Sequence, residues 1–196
     1  MPGNGQMSAK VLLVTGGIGA GKSAVSRMLI ERGVPVYFSD DMAKSLYGRD
    51  ASLRDSLRRL FGERVFRDGD VDRRALAELI FADEEKRRAL EALVHPAVFR
   101  DFEESGIQWM ESAILFESGI NRLVDKVVMV SAPDEVRINR VMSRDHISRE
   151  KVMQWMQRQW SQEKVRQLSD FEIVNDGIQP LEPQIETIIK QLAYKS

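Results

Sequence analysis

Val11-Leu12-Leu13-Val14-Thr15-Gly16-Gly17-Ile18-Gly19-Ala20-Gly21-Lys22-Ser23 reads as three parts in a fixed order. The apolar run predicts a buried strand, Gly-x-x-x-x-Gly-Lys-Ser predicts a phosphate-binding loop, and the residues after it predict a helix. Glycine permits backbone angles closed to other residues, so successive amide N–H groups can turn toward anionic oxygens. Lys22 adds a mobile positive charge, Ser23 can offer its hydroxyl to magnesium, and the helix presents its positive dipole end to the same phosphates. Ala24, Val25, Met28 and Leu29 share one helical face, and Gly33 is a stop signal. A plain strand-to-helix turn would also explain Gly16, Gly19 and Gly21, but strand, loop and helix together are the context the phosphate mechanism requires.

Further apolar runs read as strands at Val34–Phe38, Ser112–Phe116, Lys126–Val130 and Phe171–Val174. Alternation with amphipathic helical segments predicts an α/β fold: a five-stranded, mostly parallel sheet between helical layers, with ligands at the carboxyl ends of the strands. The long interval between the second and third runs reads almost wholly helical, as an inserted subdomain at about 45–105. Leu53, Leu57 and Leu60 mark one of its helices, and His95-Pro96 interrupts the last one. A second helical excursion, with a candidate lid at about 140–165, carries Arg137, Arg140, Arg144, Arg149 and Arg158. Both excursions read as insertions on one domain spanning 10–196, after a short disordered leader at 1–9.

The chain has 29 Lys and Arg against 30 Asp and Glu, so its formal charge of -1 supplies no global field for gathering nucleic acid or an anionic membrane. No Cys is present, which excludes disulfides, thiolate zinc sites and cysteine nucleophiles and suits the cytoplasm. No apolar run approaches a membrane span. Neither Asn-Lys-x-Asp nor Asp-x-x-Gly occurs, which moves weight from a GTPase switch toward a small-molecule kinase.

Asp40 follows the second strand run, where a carboxylate could take the proton of an acceptor alcohol. Within Ser39-Asp40-Asp41 it could equally cap the following helix, and Asp41 could take either job. Glu117, after Ile114-Leu115-Phe116, is a second strand-end carboxylate that could touch magnesium, water or substrate, or serve as a cap or loop residue. Arg140 and Arg144 are spaced to share a helix face and could clamp phosphates, although a solvated face is the commoner outcome for any one arginine. Val152, Trp155, Met156 and Trp160 form an apolar stripe that could stack on a base but reads better as packing. His95 is ambiguous, since a lone imidazole is usually structural.

Thr15–Ser23, Gly33-Val34-Pro35-Val36 and Ser39-Asp40 together resemble the dephospho-coenzyme A kinase family. The resemblance continues through Asp72-Arg73-Arg74-Ala75-Leu76, Ile80-Phe81-Ala82, Leu93-Val94-His95-Pro96, Leu115–Gly119, Arg140–Asp145 and Val174-Asn175-Asp176-Gly177. It implies a phosphate-loop kinase fold and ATP-dependent phosphorylation of the ribose 3′-hydroxyl of dephospho-coenzyme A, with magnesium as cofactor. It also implies ATP contacts at Gly17, Gly19, Ala20, Gly21, Lys22, Ser23 and Ala24, and an adenine-side loop at Asn175 and Gly177. Asp40 would be the base, Arg140 and Arg144 would belong to the lid, and Arg73, Phe81, His95 and Glu117 would lie on the acceptor side. No nucleic-acid or membrane partner is implied, and the expected assembly is a monomer or weak homo-oligomer. A nucleoside monophosphate kinase and a non-enzymatic nucleotide-regulated binding protein are the alternatives. The chain departs from the family at Phe38, where the family often has Asp, at Ala113-Ile114, where it often has Pro-Leu, and at Ala24, where Thr is common.

Overall fold

A computed structural model describes residues 11–113, 119 and 124–193. They form two compact units, one made of 1–37 and 108–196, the other of 38–107.

The first unit is organised on a sheet. Its strands are β1 (Leu12–Thr15), β2 (Val36–Phe38, whose last residue falls in the other unit), β5 (Trp109–Glu111), β6 (Lys126–Ser131) and β7 (Phe171–Val174). Their order is β2-β5-β1-β6-β7, with β1 central; β1 pairs in parallel with β5 and β6, and β6 in parallel with β7. Leu13, Val14, Met110, Met129 and Val130 are almost wholly inaccessible, because strands covered on both faces bury every side chain. Since these strands run the same way, the segments leaving β1, β6 and β7 emerge at one edge, which is how residues far apart in sequence meet around the loop.

Helix α1 (Lys22–Glu31) ends as Gly33 predicts. Gly33 is left-handed at φ 77°, and Val34 N–H returns to Leu29 O at 3.0 Å while Gly33 N–H reaches Ile30 O at 2.9 Å, a Schellman closure. Beyond β6 come α6 (Asp134–Asp145), α7 (Arg149–Gln157) and α8 (Gln162–Gln167); α9 (Leu181–Ala193) ends the fold. Val152 is buried with Ile138 and Val141, and Trp155 and Met156 pack against them together with Ile18 of the loop. For these residues the stripe is packing, as its spacing suggests. Trp160 lies under Lys164, whose ammonium is 3.2 Å from the ring centroid.

The second unit holds α2 (Ser39–Arg49), α3 (Ala51–Phe61), α4 (Arg73–Phe81) and α5 (Glu84–Ser105). Four details differ from the sequence expectation. The interval is not wholly helical: β3 (Phe66–Arg67) and β4 (Asp70–Val71) form a small antiparallel hairpin across Asp68-Gly69, both at positive φ, the backbone a tight Asp-Gly hairpin turn needs. In α3 the buried face is Leu53, Leu57 and Phe61, leaving Leu60 exposed, since four-residue steps follow the helix face more closely than a final step of three. Pro96 does not break α5, which runs through it; the buried row Leu90, Val94, Ala97, Val98 and Phe102 anchors both halves and outweighs the missing N–H. A strand of the sheet lies at Trp109–Glu111, ahead of the expected run, of which Ser112 and Ala113 are described and lie outside any strand. Gly106, left-handed at φ 69°, stops α5, so the chain pairs at once with Leu12–Val14; residues 114–116 lie outside the described residues.

Candidate active site

The loop of residues 16–21 is bounded by contacts that explain its glycines. A Cβ on Gly16 would sit 2.4 Å from Val130 O, and Gly16 is itself at φ 152°. Gly19 is left-handed at φ 77° with Arg137 O and Val141 within 3 Å of a would-be Cβ. Gly21 is the N-cap of α1, left-handed at φ 98°, and a Cβ there would lie 2.0 Å from Asn175 Nδ2.

Side chains from three distant segments hold the loop from outside. Ile18 N–H donates to Gln159 Oε1 at 2.8 Å, and Ile18 O accepts from Arg137 Nε at 3.0 Å. Gly19 O accepts from Arg140 Nη1 at 3.4 Å, and Ala20 O accepts from Asn175 Nδ2 at 2.9 Å. Asn175 is fixed in turn, its N–H on Ser131 O at 2.7 Å and its Oδ1 3.4 Å from Arg140 Nη2. With these outer bonds made, the loop leads into the first turn of α1, the positive end of that helix's dipole. A helix N-terminus at the carboxyl end of a central parallel strand has the polarity that suits an anion.

Arg140 and Arg144, which share a face by spacing, have different partners. Arg140 is half-buried against Gly19 and Asn175, whereas Arg144 is exposed and paired through two nitrogens, each 2.7 Å from an Asp145 oxygen. That pairing lifts the Arg144 pKa and lowers that of Asp145. Ser23 is exposed in the first turn of α1, Ala24 N–H is engaged with Gly21 O at 3.1 Å, and Gly177 is left-handed at φ 84°. Arg137 and Gln159 carry no motif that marks them; the one available signal for Arg137 is its place one helical turn before Val141, on the face that Ile138 and Val141 turn inward.

Within the helical unit, Asp40, Lys44 and Tyr47 lie on one face of α2 at steps of four and three, and Arg73, Leu76 and Ile80 recur likewise on α4. The two faces line an open cleft of about 360 Å3 with Leu90 of α5 beneath. Arg73 is steered by its Nη2 donating to Lys44 O at 2.9 Å. Burial raises the Tyr47 pKa, partly offset by the Arg73 charge, so the phenol stays protonated at neutral pH. Tyr47 escaped the sequence reading because a helical tyrosine beside Leu46 looks like core. Phe81 stands 62 % exposed at the end of α4. Glu117 lies outside the described residues.

Of the two carboxylates the sequence left open, Asp41 pairs with Lys44 at 3.6 Å. Asp40 lines the cleft, and among the described residues it makes no hydrogen bond or ion pair. Neither caps α2 through its side chain, for the N-cap is Phe38. Both nevertheless sit in the first turn, where the helix dipole favours negative charge.

His95 is half-buried on α5, and burial lowers its pKa while Glu91 and Asp40 pull it up. A His held below its ordinary value near 6.5 binds fewer protons folded than unfolded, so its contribution is complete above about pH 6.5 and is lost as the pH falls below that. His95→Gln should therefore flatten the decline of the unfolding midpoint between about pH 7 and pH 5. An unchanged slope in thermal melts would show that His95 does not set it.

Loop and sheet have the arrangement of a phosphate-loop kinase. The model of the family described as Dephospho-CoA kinase matches residues 10–180. A Dephospho-CoA kinase of Bacteroides fragilis is 41% identical over 189 residues, covering 93% of this chain and 92% of that one. Among solved structures, TT1252 of Thermus thermophilus has a TM-score of 0.80 at 33% identity over 96% of this chain and 98% of its own. Dephospho-CoA kinase from Campylobacter jejuni shares the fold at a TM-score of 0.64 and 22% identity, covering 94% of this chain and 98% of its own. The chain belongs to the dephospho-CoA kinase family, and it is a kinase.

Proposed function

We propose that this protein transfers the terminal phosphoryl group of ATP to the ribose 3′-hydroxyl of dephospho-CoA, giving CoA and ADP. The observation that carries the reading is the family match over residues 10–180 on a chain whose phosphate loop is complete. The donor is bound by the loop from Gly17 to Ala24, with Lys22 and Arg140 balancing phosphate charge and Asn175 and Gly177 on the base side. The acceptor is bound by the helical unit through Arg73, His95 and Phe81, with Asp40 as the general base. The segment at about 140–165 serves as a lid, bringing Arg144 to the phosphates once it leaves Asp145.

Magnesium fits the donor set. Ser23 offers one exposed hydroxyl oxygen in the first turn of α1, which suits a hard ion that keeps its remaining positions for phosphate oxygens and water. When bound there, the ion neutralises charge on the transferred group. No helix among the described residues is long and apolar enough to cross a membrane. On this reading the reaction takes place in the cytoplasm, with two small-molecule substrates and a monomer or weak homo-oligomer.

A product assay tests the reading. Incubation with magnesium, ATP and dephospho-CoA should yield CoA and ADP in equal amounts, identified by mass, while nucleoside monophosphates remain unphosphorylated. Transfer to monophosphates in preference to dephospho-CoA would assign the cleft to a different acceptor. ATP hydrolysis with no phosphorylated product would remove the kinase assignment to this acceptor.

A further inference from the structure

We propose that Arg137 and Gln159 are positioning residues of the nucleotide site, deciding from outside the loop which of its amides face the phosphates. The proposal rests on the kinase reading above.

The C=O and N–H of a trans peptide group are coplanar and point opposite ways, so a bond to one aims the other. Gln159 Oε1 takes the N–H of Ile18, and the carbonyl of that same peptide, Gly17 O, accepts Ala20 N–H at 3.1 Å, so both ends of this group are spent on the protein. In the next peptide Arg137 Nε holds Ile18 O, which turns Gly19 N–H away from α6. In the peptide after that, Arg140 Nη1 is 3.4 Å from Gly19 O while Ala20 N–H stays on Gly17 O, and one group further Asn175 holds Ala20 O, which turns Gly21 N–H away from Asn175. Gly19 and Gly21, whose N–H groups these bonds aim, are left-handed at φ 77° and φ 98°.

Arg137 is not a phosphate clamp in waiting. It is only 5% exposed, and its Nη1 is on Asp134 at 3.0 Å. Its Nη2 lies so close over Gly17 that a Cβ there would be 2.2 Å away. Burial draws its pKa down and Asp134 opposes this, but guanidinium remains charged at neutral pH. A fixed cation bonded to the outer face of a phosphate loop is a preorganised element: it polarises the Ile18 peptide toward a stronger Gly19 donor without itself meeting the ligand. Gln159 joins the same loop residue to the turn after α7, with its own N–H on Met156 O at 3.1 Å, so the loop is tied to the packed pair α6 and α7 on both sides of one residue.

Full-length Gln159→Ala, Arg137→Met, Arg137→Lys and the Gln159→Ala/Arg137→Met double variant are compared with the unaltered chain. ATP with magnesium is titrated by calorimetry, steady-state kinetics are run with both substrates, and apo melts are recorded. Gln159→Ala and Arg137→Met should each weaken ATP binding about tenfold or more, with the dephospho-CoA KM within about twofold of normal. Arg137→Lys should recover part of the loss, since an ammonium can still donate to Ile18 O. The double variant should fall short of the product of the singles, because both bonds hold one residue. ATP affinity within about twofold of normal in a Gln159→Ala protein that still melts cooperatively would overturn the proposal, as would equal weakening of both substrates. If Arg137→Met does not fold, Gln159→Ala and Arg137→Lys decide by the same criteria. If the unaltered chain makes no CoA yet the titrations behave as expected, the acceptor assignment fails and the positioning role stands.

Discussion

Asp40→Asn should lower turnover by about two orders of magnitude or more while leaving ATP binding in place, the usual cost of removing a positioned general base. Asn keeps the shape of the side chain but replaces a carboxylate oxygen with an NH2 donor, removing the charge and the proton acceptor, so the cleft between α2 and α4 should still take the acceptor. The choice of Asp40 over Asp41 follows from the surroundings of each. Asp41 pairs with Lys44 and is not among the residues that line the cleft, whereas Asp40 lines it with Tyr47 and Arg73. Asp41→Asn is therefore the control, and its turnover should stay near normal, since an exposed ion pair one helical turn apart contributes little. Turnover is measured with both substrates saturating, and ATP affinity separately by calorimetry. Near-normal turnover in Asp40→Asn would remove this residue as the base, and a large loss in Asp41→Asn would transfer the role to its neighbour.

The parts of this molecule that sequence made legible are those set by local chemistry. The loop and the start of α1 were readable because glycine, lysine and serine at fixed offsets have one common use, and the Gly33 stop because few residues tolerate its backbone. Strands β1, β6 and β7 stood out as apolar runs. Strand β5 did not, because Gln108 and Glu111 frame only two apolar residues, and its position is set by where Gly106 releases the chain. The same holds for the site. Lys22, Ser23 and Asp40 announce themselves by motif or by place after a strand, whereas Arg137, Gln159 and Tyr47 take their roles from what tertiary packing brings beside them. Arg137 reads in sequence as one of several arginines on an excursion; its burial and its bond to Ile18 O set it apart. His95-Pro96 shows the converse error, a strong local signal overridden by a buried helical row.

Lys22→Ala should weaken ATP binding and slow transfer together, each by about two orders of magnitude, because one charge meets the phosphates both in the bound state and as negative charge spreads during transfer. The position explains why the loss cannot be made good from nearby. Lys22 is the first residue of α1, and helical side chains tilt back toward the N-terminus, so its stem runs along the loop and not away from it. Its Cγ would lie 3.4 Å from a Cβ on Gly16, which places the stem over the first glycine of the motif. Arg140, whose charge is already assigned to the phosphates, is held by Gly19 O and Asn175, and Arg137 is bonded to Ile18 O and Asp134, so neither can move into the place of Lys22. Lys22→Arg should rescue little, since a longer planar fork does not replace a compact ammonium on a flexible stem within a loop this closely bounded. Calorimetric titration of ATP and single-turnover measurement of CoA formation separate the two effects. Unchanged affinity with slowed transfer would confine Lys22 to the transition state, and unchanged values of both would remove it from the site.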